Sequence, residues 1–155
     1  DALVVNFSAV DNGSGLMNGS PESWVDGAPT TNGQSIPLLT LTLGEHVFTV
    51  SAMDRAGNPS VRTVTFRIVA TIDSLIAAVN VLAQQGQIDD SRMVKSLLSK
   101  LEDAKQAVAR GSNKAAINKL NEFIDQVNVQ INQHITSSAG YLLVTDAQYV
   151  IATLR

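Results

Sequence analysis

Cysteine is absent from the sequence, which excludes disulfides, thiolate metal sites and a cysteine nucleophile together. No apolar run approaches the roughly 20 residues of a membrane span, and no basic segment leads into an apolar stretch as a signal peptide would. Charge is sparse as well: 16% of residues are charged and the net charge is −3, with no block of like sign. The chain therefore lacks the basic footprint that nucleic acid or an anionic membrane surface requires, and neither is an expected partner. Aromatics make up only 5%, so a broad stacking platform is not expected.

What is present suits a packed protein. Hydrophobic residues account for 45% of the chain, too many for a disordered segment. A length of 155 residues allows one domain or two small ones. The first residue is Asp1 rather than Met, so the chain is expected to be a processed or excised piece, with any signal peptide or catalytic domain upstream.

The hydrophobic period changes near residue 70. LVVNFSAV (Leu3–Val10) alternates, with Val5, Phe7 and Ala9 on one face, and reads as a half-buried strand. HVFTVSAM (His46–Met53) and VRTVTFRIV (Val61–Val69) alternate in the same way, and in the second Val64, Phe66 and Ile68 are expected to face inward. Turn clusters separate them, at Asp11–Gly15, Asp26–Gly27, Asn32–Gly33, Leu43–Glu45 and Asp54–Pro59. Short strands with frequent turns predict an antiparallel sandwich. After Ala70 the spacing becomes helical. Leu75, Ile76, Val79 and Leu82 line a first helix, which Thr71 or Asp73 caps and Gly86 ends. A second is expected from about Asp90 to Arg110, with Val94, Leu97, Leu98, Leu101, Ala104 and Val108 inward and Gly111 beyond its end. A third follows with Asn113 as N-cap and a seam of Ile117, Leu120, Ile124, Val127 and Ile131. Tyr141 to Leu154 is a short last helix with Asp146 as cap and Val150, Ile151 and Leu154 inward. Amphipathic helices with short connections predict a bundle of three to four.

Three stretches of the first half, SAVDNGSGL (Ser8–Leu16), GEHVFTVSAMDRAGN (Gly44–Asn58) and VTFRIVAT (Val64–Thr71), resemble bacterial immunoglobulin-like domains. The resemblance implies an all-β immunoglobulin-like sandwich over residues 1–70. In that family a further strand usually precedes the one beginning near Ala2, so the first edge strand is expected to be missing or supplied by residues outside this piece. The resemblance also implies that the D-x-A-G-N turn joins the last two strands. Residues 72–155 resemble the FIMAH module through IDSLIAAVNVLAQQGQI, ARGSNKAAINKLNEFIDQVN and VTDAQYVIATL. That likeness implies an all-α bundle over residues 71–155 at the C-terminal end of a large secreted bacterial protein, with adhesion or association with cell envelope or polysaccharide.

Candidate chemistry is thin. Serine-type hydrolysis needs a serine, a base and an orienting acid in contact, and the two histidines, His46 and His134, fall in different halves. His46, at a strand start, is expected at the surface, and His134 near a helix C-terminus suits the negative end of the dipole. Asp89 and Asp90 precede a helix and read as capping residues, whereas Glu102, Asp103, Glu122 and Asp125 read as a solvated surface. Trp24 reads as a sandwich residue, and it shares no expected surface with Tyr141 or Tyr149. The one constellation with ligand chemistry is Asp11, Asp54 and Asn58 with the carbonyls of Asn12, Gly13 and Ala56. In an immunoglobulin-like topology these loops meet at one pole, and calcium takes six to eight such oxygens. The same residues are equally good turn formers.

These features lead to an expectation of a non-enzymatic accessory, interaction or spacer module of a secreted or cell-surface bacterial protein. Its partners would be upstream domains of the same polypeptide and a cell-envelope or polysaccharide ligand, with calcium as the one cofactor to test. The alternative is a carbohydrate-binding module that uses the bundle or the sandwich surface.

Overall fold

The computed structural model describes residues 2–155, which divide into two compact units, Asp1–Ile68 and Val69–Arg155. In the first unit, alternating sequence becomes strand wherever a turn returns the chain to a partner. Strand β1 (Ala2–Val4) pairs antiparallel with β4 (Ser35–Pro37) in a two-stranded sheet. The strands β2 (Glu22–Val25), β3 (Ala28–Thr30), β5 (Gly44–Met53) and β6 (Pro59–Ile68) form an antiparallel sheet in the order β3-β2-β5-β6. Asp26 and Gly27 connect β2 to β3 with φ of 50° and 80°. Positive φ at both central positions is what a two-residue hairpin compatible with strand twist demands, and Asp-Gly provides it at little cost. The ten-residue strands β5 and β6 pair along their whole length, from Gly44 opposite Ile68 to Met53 opposite Pro59. The Asp54–Asn58 turn joins these last two strands.

Three expectations for this unit need correction. The Leu3–Val10 segment keeps its alternation, with Val5 buried and Phe7 and Ala9 half-buried, but only Ala2–Val4 forms a ladder. Val5 still exchanges bonds with Gln34 and Gly33, and the Phe7 amide then turns to the Asn32 side chain, so the strand loses its partner at the Thr31–Gln34 turn. Val64 does not face a core: it is 58% exposed, whereas Phe66 and Ile68 are half-buried. The reason is that β6 is an end strand with one neighbour, and its middle lies at an open sheet edge. His46 is not at the surface but 5% exposed. Among the described residues of this unit, Val5 and Val25 are the only fully buried apolar side chains, and Ser23 and His46 are buried beside them.

The second unit holds the remaining buried apolar side chains. Helix α1 (Ile72–Gln84) starts at a capping box in which Thr71 Oγ1 accepts from the Ser74 amide and Ser74 Oγ accepts from the Thr71 amide. Helix α2 (Ser91–Ala109) starts at Asp90, whose carboxylate accepts from the Arg92 and Met93 amides. Both helices end on a glycine in the left-handed region, Gly86 and Gly111. There the amides of Gly86 and Gln87 return to Ala83 and Leu82, and those of Gly111 and Ser112 return to Val108 and Ala107. This double return satisfies carbonyls that the helix end would otherwise leave bare. Helices α3 (Asn113–Gln130) and α4 (Ser137–Leu154) complete the unit.

Each helix packs on two neighbours, α1 on α2, α2 on α3, α3 on α4 and α4 back on α1, which closes a four-helix bundle. The α1–α2 and α3–α4 connections lie at the same end, joined by a bridge between Ile88 and Ile135. At the other end Asn113 Nδ2 donates to the Leu154 carbonyl. The helices therefore alternate in direction. Their buried faces are Ile72, Leu75, Ala78, Val79 and Leu82; Met93, Leu97, Leu101, Ala104 and Ala107; Ala116, Leu120, Phe123 and Val127; and Ala139, Gly140, Leu143, Ala147, Val150 and Ile151.

The α3 seam is thus rotated from its expected place. Leu120 and Val127 are buried as expected, but Ala116 and Phe123 fill the other positions and Ile117, Ile124 and Ile131 are half-buried. A helix with apolar residues on more than one stripe does not show in its sequence which stripe its neighbours cover. Two caps also differ. Ser112 rather than Asn113 occupies the N-cap of α3, because Asn113 is already helical and its amide reaches α4. The last helix begins four residues earlier than expected, behind Thr136, and Asp146 lies in its middle instead of capping it. Ser137–Gly140 is helical because the Gly140 position sits against the Ile131 side chain and tertiary packing overrides the weak helix propensity of these residues.

Candidate interaction sites

The Asp11 and Asp54 loops meet. Leu16 forms a bridge with Asp54, and the Arg55 amide donates to the Gly15 carbonyl at 2.9 Å. Both carboxylates are engaged by their own loops. Asp11 Oδ2 accepts from the Gly13 and Gly15 amides at 3.1 and 2.6 Å. Asp54 Oδ1 accepts from the Asn58 amide at 2.8 Å, and Asp54 Oδ2 accepts from Asn58 Nδ2 at 2.7 Å. The Asn58 side chain, followed by its backbone N–H, holds the Asp54 carboxyl below the usual carboxylate range. Asp11, Asp54 and Asn58 line one groove of about 330 Å³ with Arg62. Calcium would draw on the remaining lone pairs of the two aspartates, and Asn58 would have to turn its amide oxygen toward the ion. Among the described residues no cluster of three or more His, Cys, Asp and Glu side chains has the spacing of a metal site.

A second candidate lies at the end of the bundle where the α1–α2 and α3–α4 connections cross. The Asp89 amide donates to the His134 carbonyl, and the Thr136 amide donates to the Gln87 carbonyl. His134 Nδ1 lies 2.7 Å from Asp89 Oδ1. An open pocket of about 340 Å³ is lined there by Gln87, Asp89, Asn132, His134, Thr136 and Ser137, among others. Asp89 and Asp90 thus divide their work: Asp90 caps α2, and its backbone N–H bonds lower its pKa, while Asp89 ties the two connections together. The sequence showed both as helix-start acids, but not that His134, 45 residues away, is the partner of one of them.

A third feature is an open cleft of about 620 Å³ in the β unit, lined by Phe7, Glu22, Trp24, Pro29, Thr31 and Asn32, among others. Trp24, expected as a sandwich residue, is half-buried and lines this cleft. Tyr141 is 74% exposed on α4 and Tyr149 is half-buried in the other unit. Phe7, expected as a core residue from its alternation, is half-buried with its ring 6.1 Å from that of Phe48, and it also lines this cleft, since the strand carrying it loses its ladder. Glu102, Asp103, Glu122 and Asp125 are exposed as expected. Among the described residues no helix is long and apolar enough to cross a membrane.

A β-sheet unit followed by a four-helix unit, with polar grooves on each, defines a two-part chain whose second part is a small helical domain. That second part, over residues 72–152, matches the FIMAH domain. The match begins at the first residue of α1, ends within α4 and covers more than half of the chain, which belongs to the FIMAH domain family. No curated protein matches the chain.

Proposed function

We propose that the chain is a non-catalytic accessory module of a secreted bacterial protein, holding another domain of that protein at a cell surface or polymer. The observation that carries this reading is the FIMAH domain over α1–α4 following a separate β unit. A chain built as two compact units in series suits a spacer with an interaction head. The finer reading of the β unit is an immunoglobulin-like sandwich. It is supported by the β3-β2-β5-β6 sheet, the separate β1-β4 sheet and the D-x-A-G-N turn between β5 and β6. The partners are the neighbouring domains of the same polypeptide and a cell-envelope or polysaccharide surface.

The second reading, a carbohydrate-binding module, is favoured by the polar pocket at the Asp89–His134 end and by the cleft lined by Phe7 and Trp24. Sedimentation of the chain with insoluble polysaccharides and with peptidoglycan distinguishes the two. Saturable retention that Asp89→Ala or Trp24→Ala removes supports a sugar-binding module. A chain that stays in the supernatant with every sugar polymer removes the polysaccharide partner and leaves a spacer whose partners are the neighbouring domains. Turnover of any of these polymers by the purified chain overturns both. A calcium ion shared by the Asp11 and Asp54 loops is a compatible addition, supported by the contact between those loops.

A further inference from the structure

His46 is one of two buried polar side chains among the described residues of the β unit, and its hydrogen bonds are unlike those of an ordinary core histidine. Its Nδ1 lies 2.5 Å from Asp26 Oδ2 and its Nε2 lies 2.7 Å from the Thr42 carbonyl oxygen. Neither partner carries a hydrogen to donate. A neutral imidazole has one N–H, so one of the two contacts would set lone pair against lone pair. With both ring nitrogens protonated, both contacts are hydrogen bonds. The Phe66 ring lies over the imidazole with centroids 5.4 Å apart and planes 24° from parallel, an arrangement in which a cation is attracted to the aromatic face. The Asp26 carboxylate supplies the compensating charge, and its other oxygen accepts from the Val47 amide at 2.8 Å.

We infer that His46 is held as an imidazolium that fastens three segments of the β unit together, and that this lock opens as the pH rises. The segments are the Asp26–Gly27 turn between β2 and β3, the Thr42 approach to β5, and β6 through Phe66. The lock sits where β6 hands the chain to the helical unit, since Phe66 lies opposite His46 and Ile68 opposite Gly44. Among the described residues of the β unit only Val5 and Val25 are buried apolar side chains, so the lock adds to the β5–β6 ladder at this end where apolar burial is small. Among the described residues Asp26 is the charged group that contacts the ring: the Thr42 segment and Phe66 bring none. Glu45 and Arg67, paired across β5 and β6, project to the opposite sheet face from their register.

The bond to Asp26, then that to Thr42, raises the His46 pKa above its ordinary 6.5 against the opposing effect of burial. For a group raised on folding, the stabilisation is complete below 6.5 and is lost as pH climbs through the folded value. On the acid side, the His46 bond and then the Val47 amide lower the Asp26 pKa from 3.8. That contribution is present above 3.8 and lost as pH falls through the lowered value. The lock is therefore closed in mild acid and opens as pH climbs through the raised His46 value.

Two-dimensional NMR of the full chain tests this directly. His46 should titrate above 6.5, and below that midpoint both its ring nitrogens should carry the protonated ¹⁵N signature. Trp24, the only tryptophan, lies in the β unit and reports its melting by fluorescence. The Trp24-reported melting temperature should fall as pH rises through the His46 midpoint, and Asp26→Asn should lower that midpoint and flatten the fall. Should Asp26→Asn not fold, His134→Gln leaves His46 as the single histidine in an otherwise intact chain, and its titration is read alone. A His46 midpoint at or below 6.5, or a ring that is already a neutral single tautomer at pH 6.5, overturns the lock.

Discussion

Gly140 in α4 rests against the side chain of Ile131 so closely that an added Cβ would lie 2.6 Å from Ile131 Cδ1 and nearer still to Cγ1. Two effects of Gly140→Ala oppose each other. Alanine favours a helix interior by about 1 kcal/mol over glycine, whereas overpacking a tight contact costs about 1–3 kcal/mol. The overlap reaches past the tip of the isoleucine, so the clash wins and the bundle loses up to about 2 kcal/mol of stability. In Ile131→Ala the same glycine substitution should be neutral or stabilising. Equal losses from Gly140→Ala in both backgrounds, measured by chemical denaturation, would show that the contact does not govern this site.

Leu120 is fully buried in α3, and Ile124, one turn further on, is only half-buried. Leu120→Asp places an unpaired carboxylate in the core and should cost about 3 kcal/mol or more, enough to unfold the bundle. Ile124→Asp should leave it folded with a lowered melting temperature. Lys119→Asp should be milder still, since it loses the exposed pair with Glu122, 3.0 Å apart, and sets a second carboxylate beside it where solvent screens the repulsion. Helical circular dichroism reads all three, and equal damage from Leu120→Asp and Ile124→Asp would reassign the face of α3.

Asp146 is a half-buried carboxyl in the middle of α4, and burial pushes its pKa from 3.8 up to about 6. A carboxyl whose pKa is raised on folding binds its proton more tightly in the folded state. The helical unit should therefore lose stability as pH rises from about 4 to about 6. A shift from 3.8 to about 6 is worth about 3 kcal/mol if fully expressed, and screening on the exposed side reduces this to about 1–2 kcal/mol. Asp146→Asn should remove this slope and raise the melting temperature at pH 7. A parent whose helical melting temperature does not change between pH 4 and pH 7 contradicts the assignment.

The Asp54 carboxylate clamps the β5–β6 turn through Asn58, which lowers its pKa. Its stabilisation is present above 3.8 and declines as pH falls through the lowered value. Asp54→Ala should lower the Trp24-reported melting temperature at pH 7 and leave the helical transition in place. If the loops also hold calcium, millimolar calcium raises the parent's β-unit melting temperature and has no effect on the variant. A loss of the same size with calcium and with chelator assigns the carboxylate to the turn alone.

Much of this architecture could be read along the chain. The change of period near residue 70, the Thr71 cap and the Gly86 and Gly111 ends are local features, decided by residues within a turn or two of one another. The inward face of Leu3–Ala9 was legible for the same reason, since side chains alternate along any extended backbone. Pairing was not: Val64 alternates like a core residue, yet it lies on an end strand, and His46 looks like a surface residue until Asp26, Thr42 and Phe66 close around it. Helix rotation was equally hidden. Ile117 and Ile124 are as apolar as Leu120, and Phe123 becomes the buried residue because α2 and α4 pack on that side. The meeting of the Asp11 and Asp54 loops was expected from the immunoglobulin-like resemblance, whereas the partnerships Asp89–His134 and Gly140–Ile131 came from folding alone, because each joins groups whose meeting depends on how whole elements pack, which no local spacing encodes.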